Sequence, residues 1–167
     1  MIYTKDFLSP LLAILKKCQG VWQNEKWHPE GDVFNHSLQV AYHAFRETTD
    51  TDLILAAMLH DVGKSHENHG HDKIAVEMLQ PFLSVKSLWL IKQHMRIWTL
   101  LQGEMRKQNK VKELIGHPWL PELILLARWD KMGRNPHRHI EYNPDNILEK
   151  LNLCVEHHFE ENQNLRQ

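Results

Sequence analysis

The sequence predicts an all-α protein, a compact bundle of about seven helices, on three observations. Apolar residues recur at helical spacing in several segments, for example at Leu8, Leu11, Leu12 and Leu15. No segment alternates apolar and polar residues over the length of a half-buried strand. Good helix N-caps, such as Ser84 and Asn143 followed by proline, precede apolar-periodic segments.

The first half of the chain is expected to contain three helices. The first is expected at 8–18 with Ser9-Pro10 as its start, and the second at about 35–48 with Asn35 as its N-cap. The third is expected to run from Asp52 to about 62 and to end at Gly63. Because this third helix is apolar nearly all round, we expect it to be the buried centre of the bundle.

The second half is expected to contain four further helices and one ambiguous segment. The expected ranges are 72–79, a helix that starts at Ser84, 118–132, and a C-terminal helix at about 143–159. The charged segment 103–115 predicts either an exposed helix or an irregular excursion. Met95 and Trp98 are expected to point inward, and Ile124 is expected to share one side of its helix with Leu120, Leu123 and Ala127. The polar tail to 167 is expected to fray.

Length and composition bound the class of protein. A chain of 167 residues, 42% hydrophobic and 25% charged, predicts a single globular domain over 1–167. The net charge of −1 argues against binding to extended nucleic acid. Cys18 and Cys154 form no CxxC pair, and no signal peptide or run of roughly 20 apolar residues is visible, so we expect a cytoplasmic protein without a membrane partner.

One dipeptide, His60-Asp61, is the strongest chemical signal. Seven apolar residues, 53–59, run directly into this imidazole and carboxylate. Burying such a pair at a helix end is costly unless a charged group meets it there. We therefore predict a metal ion at His60-Asp61, and the other ligands must come from elsewhere in the chain.

Other histidines and one aspartate are candidates for the same site. His36 lies on the second helix and Asp130 near the end of the helix at 118–132, where a carboxylate opposes the helix dipole and favours a nearby cation. Imidazole and carboxylate ligands suit divalent Fe, Mn, Zn, Ni or Co. Asp61 has two oxygens and can bridge two ions, the second held by His71 and His94.

The order His36, His60-Asp61, Asp130 resembles the H…HD…D signature of the HD-domain superfamily of metal-dependent phosphohydrolases. The resemblance covers about 27–136, and its best segments are His28–His36, His60–Lys64, His69–His71 and Asp130–Arg134. Together these segments are similar to the HD domain of bacterial tRNA nucleotidyltransferases, the CCA-adding enzymes. No nucleotidyltransferase motif is visible in the sequence, so we expect a free-standing HD domain, and the resemblance does not imply tRNA as its substrate.

The resemblance implies roles for the candidate residues. It implies one or two divalent ions (Fe, Mn, Ni, Co, Zn or Mg) bound by His36, His60, Asp61, Asp130, His71 and His94. It implies Asp61 and Lys64 as catalytic residues, and Lys64 is expected to meet either a phosphate oxygen of the substrate or a carboxylate that binds the metal. Arg134 and His69 are further expected substrate contacts, Arg134 because a guanidinium group matches a phosphate bidentately. His28 is expected to be an ordinary loop histidine.

The function implied by the resemblance is hydrolysis of a phosphomonoester or a cyclic or linear phosphodiester. The substrate is expected to be a nucleotide or another small phosphoester. Two alternatives remain open. One is a mixed-valent di-iron oxygenase, which a minority branch of the superfamily builds from the same four histidines and two aspartates. The other is a non-catalytic module stabilised by metal.

Overall fold

The computed structural model describes residues 2–165, and these residues form eight α-helices and one 3₁₀ turn with no strand longer than a single bridge. The helices are α1 (Lys5–Lys16), α2 (Val33–Glu47), α3 (Thr51–Leu59), α4 (His71–Leu79), α5 (Val85–Leu101), α6 (Gln108–Ile115), α7 (Leu120–Met132) and α8 (Pro144–Asn164). The 3₁₀ turn at Val62–Ser65 follows α3. The all-α prediction is confirmed, and the ambiguous segment at 103–115 contains the additional helix, α6.

The central element is α3, as predicted. Every residue from Leu53 to Leu59 is buried, and α3 packs against α2, α5 and α7. Its N-terminus is capped by the Asp50 carboxylate, which accepts hydrogen bonds from the backbone N–H groups of Asp52 and Leu53. A helix with no polar face can only be accommodated by neighbours on all sides, which explains its position.

The predicted end of this helix was wrong. The α-helix stops at Leu59 rather than near residue 62, and Val62–Ser65 forms a separate 3₁₀ turn. Gly63 lies in that turn, where a Cβ atom would come within 2.0 Å of the His71 carbonyl oxygen. Glycine is therefore present because the turn lies directly against the start of α4. It is not the helix terminator that its sequence position indicates.

Both predicted starts of the N-terminal helices were too late. Thr4 caps α1 by accepting from the Phe7 N–H, so the helix begins at Lys5 and contains Pro10 in its second turn. Asp32, rather than Asn35, caps α2 by accepting from the Asn35 N–H. In each case a side-chain oxygen three residues before its backbone donor sets the first turn.

The later helices agree better with prediction. Ser84 caps α5 and Asn143 caps α8 as expected, and α8 continues to Asn164, beyond the predicted end near 159. Residues 166 and 167 of the polar tail lie outside the described residues. Met95 was predicted to point inward but is 44% exposed, and Ile124 is 44% exposed although Leu123 and Ala127, expected on the same side of the helix, are buried. No helix in the described part of the chain is long and apolar enough to cross a membrane.

Candidate metal centre

All six predicted metal ligands meet in the interior of the bundle. His36 comes from α2 and His60-Asp61 directly follow α3, while the other three come from α4, α5 and α7. None of the six is more than 6% exposed. The set is His36, His60, Asp61, His71, His94 and Asp130, which we call the six-residue cluster.

One half of the cluster is formed around Asp130. The Nε2 atom of His36 lies 3.0 Å from Asp130 Oδ1 and 3.6 Å from Asp61 Oδ2. The Nε2 atom of His60 lies 3.5 Å from the same Asp61 oxygen and 3.8 Å from the same Asp130 oxygen. Two imidazole nitrogens and two carboxylate oxygens therefore converge on one point.

The other half of the cluster uses the second oxygen of Asp61. Asp61 Oδ1 lies 3.1 Å from His71 Nε2 and 3.4 Å from His94 Nε2. These two nitrogens are 3.1 Å from each other. Asp61 thus turns one oxygen toward each pair of histidines, which is the arrangement that a carboxylate bridging two ions requires.

Backbone carbonyl groups fix the tautomer of all four histidines. The Nδ1 atoms of His36, His60, His71 and His94 each lie 2.5–3.0 Å from a carbonyl oxygen. A carbonyl oxygen only accepts hydrogen bonds, so each Nδ1 carries a hydrogen. In the neutral imidazoles the lone pairs are therefore on Nε2, the atoms that face Asp61 and Asp130.

The residues present fit a divalent cation. Within the described residues the buried Nε2 atoms of His36 and His60 have no hydrogen-bond partner, although an unpaired buried polar atom is costly. The Nε2 atoms of His71 and His94 face each other, an arrangement of two lone pairs that a cation would relieve. Imidazole nitrogen with carboxylate oxygen is a donor set that suits first-row divalent metals.

The buried charges of the cluster shift the pKa values of its own side chains. Burial acts to lower the pKa of His60, but the carboxylates of Asp61 and Asp130 raise this pKa to about 10. Burial acts to raise the pKa values of Asp61 and Asp130, but the neighbouring histidines, with Lys64 beside Asp61, hold both well below the usual range. A divalent ion must therefore displace protons from the cluster.

The cluster opens into a cavity of about 740 Å³ that contains all three predicted substrate contacts. The Lys64 ammonium lies 2.8 Å from Asp61 Oδ2 and 2.9 Å from Gln23 Oε1. The Arg134 guanidinium donates to the Asp130 carbonyl oxygen at 3.3 Å and is partly exposed. His69 is exposed at the rim. Two cations thus stand beside the cluster's two carboxylates.

The sequence interpretation missed several residues around the site. His28, expected to be an ordinary loop histidine, lines the cavity, and its Nδ1 lies 3.0 Å from the buried Glu30 carboxylate. Trp98 donates its indole N–H to Asp130 Oδ2 at 3.2 Å. His28 and Glu30 lie inside His28–His36, one of the segments that best match the HD pattern. This location is the sequence feature that could have identified them as residues of the site.

The helical fold encloses a buried histidine–aspartate cluster whose groups are able to hold a divalent metal. The family model for the HD domain matches residues 33–135, so the chain belongs to the HD domain family, as the sequence resemblance predicted. HD domains bind divalent metals and belong to a superfamily of metal-dependent phosphohydrolases.

Relatives with this domain include two multifunctional CCA proteins. The one from Vibrio parahaemolyticus is 38% identical over 154 residues, which cover 87% of this chain and 30% of the relative. The one from Thioalkalivibrio sulfidiphilus is 26% identical over 151 residues, which cover 86% of this chain and 30% of the relative. The chain thus spans less than a third of the length of these relatives.

Proposed function

We propose that this protein is a metal-dependent hydrolase of phosphomonoesters or of cyclic or linear phosphodiesters. The observation that carries this proposal is the position of Lys64 and Arg134 beside the carboxylates of the six-residue cluster, in the same cavity. A metal cluster alone is compatible with several chemistries. Cations beside it add the charge that an anionic phosphoester substrate needs.

Each residue of the site has a distinct task in this proposal. His36, His60, Asp61 and Asp130 would hold one ion, and Asp61 with His71 and His94 would hold another. When bound, divalent ions polarise a phosphoryl oxygen and lower the pKa of water at the site to about 7. Lys64 holds Asp61 in place through its 2.8 Å contact.

Arg134 is the proposed phosphate contact. Its two terminal nitrogens donate to the Trp27 carbonyl oxygen at 3.3 Å and to Asp130 Oδ1 at 3.5 Å, so both donors are only weakly engaged. A guanidinium group offers a fork of donors that matches two phosphate oxygens. The side chain is 29% exposed, and it lines the cavity at a point where an incoming phosphate would meet it.

The cavity walls favour a nucleotide as the substrate. Trp27, 59% exposed, and Met95, 44% exposed, line the cavity together with Trp98. Apolar and aromatic surfaces beside a phosphate site suit a substrate that carries a planar ring next to its phosphate. The cavity volume of about 740 Å³ accommodates a ligand of that size.

The test is a hydrolysis assay on metal-stripped protein reloaded with Mn²⁺, Ni²⁺, Co²⁺, Zn²⁺ or Mg²⁺. The substrates are p-nitrophenyl phosphate, its bis ester, nucleoside monophosphates and cyclic nucleotides. We expect metal-dependent hydrolysis that is lost in Asp130→Asn and reduced in Arg134→Ala, with Lys131→Ala at the cavity rim as the matched control. Bound metal without hydrolysis of any substrate, in wild type and variants alike, would refute the proposal.

The convergence of four histidines and two aspartates also supports a second candidate, a mixed-valent di-iron oxygenase. This chemistry needs both halves of the cluster, including His71 and His94. Electron paramagnetic resonance of iron-loaded, partly oxidised protein separates the two candidates. A mixed-valent signal with no phosphoester hydrolysis favours the oxygenase, and the reverse result favours the hydrolase.

A further inference from the structure

Glu30 is a buried carboxylate outside the six-residue cluster. It lies in the loop before α2, and its side chain is 0% exposed. Its Oε2 atom has no hydrogen-bond partner within residues 2–165. Removing a carboxylate from water is costly unless nearby groups compensate its charge. The compensating groups must therefore be those that face its other oxygen.

Both groups that face Glu30 Oε1 are imidazoles. His28 Nδ1 lies 3.0 Å away and His36 Nδ1 lies 2.8 Å away. His36 Nδ1 also lies 3.0 Å from the Gly133 carbonyl oxygen, so two acceptors enclose this edge of the ring. The opposite edge presents Nε2 to Asp130 Oδ1 at 3.0 Å. One ring thus connects the buried carboxylate to the cluster.

We propose that Glu30 is a positioning residue for the metal centre, which holds His36 with Nε2 toward the ion and strengthens that nitrogen as a ligand by its negative charge. The inference rests on the metal dependence of the proposed function. A carboxylate behind a metal-bound histidine fixes the ring's tautomer and raises its basicity. The ion's positive charge, in turn, compensates the charge of the buried carboxylate.

A separate metal site at His28, Glu30 and His36 is the competing interpretation, because one donor atom of each lies within 4.8 Å of the others. Such a site would take the lone pair of His36 Nδ1. The ring's hydrogen would then move to Nε2, which faces Asp130 and is needed by the six-residue cluster. Glu30 is therefore an acceptor from His36 and not a ligand.

The test measures Mn²⁺ affinity by calorimetry on the metal-stripped full chain. Glu30→Gln keeps the size of the side chain and removes its charge, and we expect it to weaken binding roughly 10–100-fold with unchanged stoichiometry. Glu25→Gln, the control, makes the same change at an exposed carboxylate of the same loop and keeps the contact between Glu30 and His36. We expect the Mn²⁺ affinity of the control variant to stay within about threefold of wild type, because Glu30 still holds His36 in place. Melting temperatures of the metal-free variants establish that each one folds.

Nitrogen-15 NMR of the Zn²⁺-loaded wild type tests the same inference without a substitution. We expect His36 to carry its hydrogen on Nδ1, in slow exchange with water, and Glu30→Gln to speed that exchange. Equal Mn²⁺ affinity of Glu30→Gln and wild type would overturn the role of Glu30 but not the proposed function. Loss of one whole ion in Glu30→Gln would also overturn that role, because it would make Glu30 a metal ligand. A wild type that binds no ion would overturn the proposed function together with it.

Discussion

Replacing Gly63 by alanine tests how closely the His60-Asp61 segment must approach α4. A Cβ atom at Gly63 would lie 2.0 Å from the His71 carbonyl oxygen, 2.8 Å from the His71 carbonyl carbon and 2.9 Å from the Ala75 nitrogen. All three atoms belong to the backbone of α4, so no flexible side chain can move aside. The Val62–Ser65 turn and α4 must separate by more than about 1 Å for an ordinary contact distance to be restored.

The cost follows from that separation. Overpacking a core typically costs about 1–3 kcal/mol, and a clash with rigid helical backbone falls at or above the upper end. We therefore expect Gly63→Ala to lower the free energy of unfolding by about 3 kcal/mol or more. In the wild type, His71 Nε2 lies 3.1 Å from Asp61 Oδ1. The same separation moves His71 away from Asp61, so we expect the variant to lose ion binding in this half of the cluster.

The assays are urea unfolding of the metal-free protein and Mn²⁺ stoichiometry. Gly116→Ala is the control, because its φ of −81° suits any residue and its Cβ would meet only the Lys112 carbonyl oxygen at 3.1 Å. We expect the control to cost less than about 1 kcal/mol. A Gly63→Ala variant as stable as this control, with full metal stoichiometry, would refute the reasoning.

Three further predictions follow from the site and the core. Asp130→Asn should weaken Mn²⁺ binding, measured by calorimetry, by more than about 100-fold, because it removes the negative charge of the carboxylate oxygen that lies beside both His36 Nε2 and His60 Nε2. Because Asp61 and Asp130 raise the pKa of His60 to about 10, binding of an ion at pH 7 should release protons, and the affinity for the ion should fall as the pH falls. Calorimetry in buffers of different ionisation enthalpy measures the number of protons released. Burial raises the pKa of Cys18 to about 12, so iodoacetamide at pH 8 should leave this thiol unmodified until urea unfolds the chain.

The fold and the cluster were predictable because both depend on strong local signals. An unbroken apolar run before His60-Asp61 indicates a buried helix whichever neighbours surround it. A histidine and an aspartate at its end require partners, and His36 and Asp130 supply ligand types on other helices. The structure brings these residues together, while their roles as ligands stay predictions until a metal is measured.

The features that were missed depend on contacts between distant parts of the chain. Gly63 has the local sequence context of a helix terminator, but a glycine is needed there because the backbone of α4 lies too close for a Cβ atom. Met95 belongs to a helix with apolar residues on most of its faces, so periodicity alone does not identify the buried face. Glu30 lies inside a segment that matches the HD pattern, but only the folded chain places its carboxylate 2.8 Å from His36 Nδ1.

Anomalous X-ray diffraction from crystals grown with Mn²⁺ and phosphate tests the metal centre most directly. We predict Mn²⁺ bonded to the Nε2 atoms of His36 and His60, a second ion roughly 3.5–4 Å away across Asp61, and phosphate in contact with Arg134. Crystals in which Mn²⁺ is absent from the six-residue cluster would contradict the claim that these residues form a phosphohydrolase metal centre.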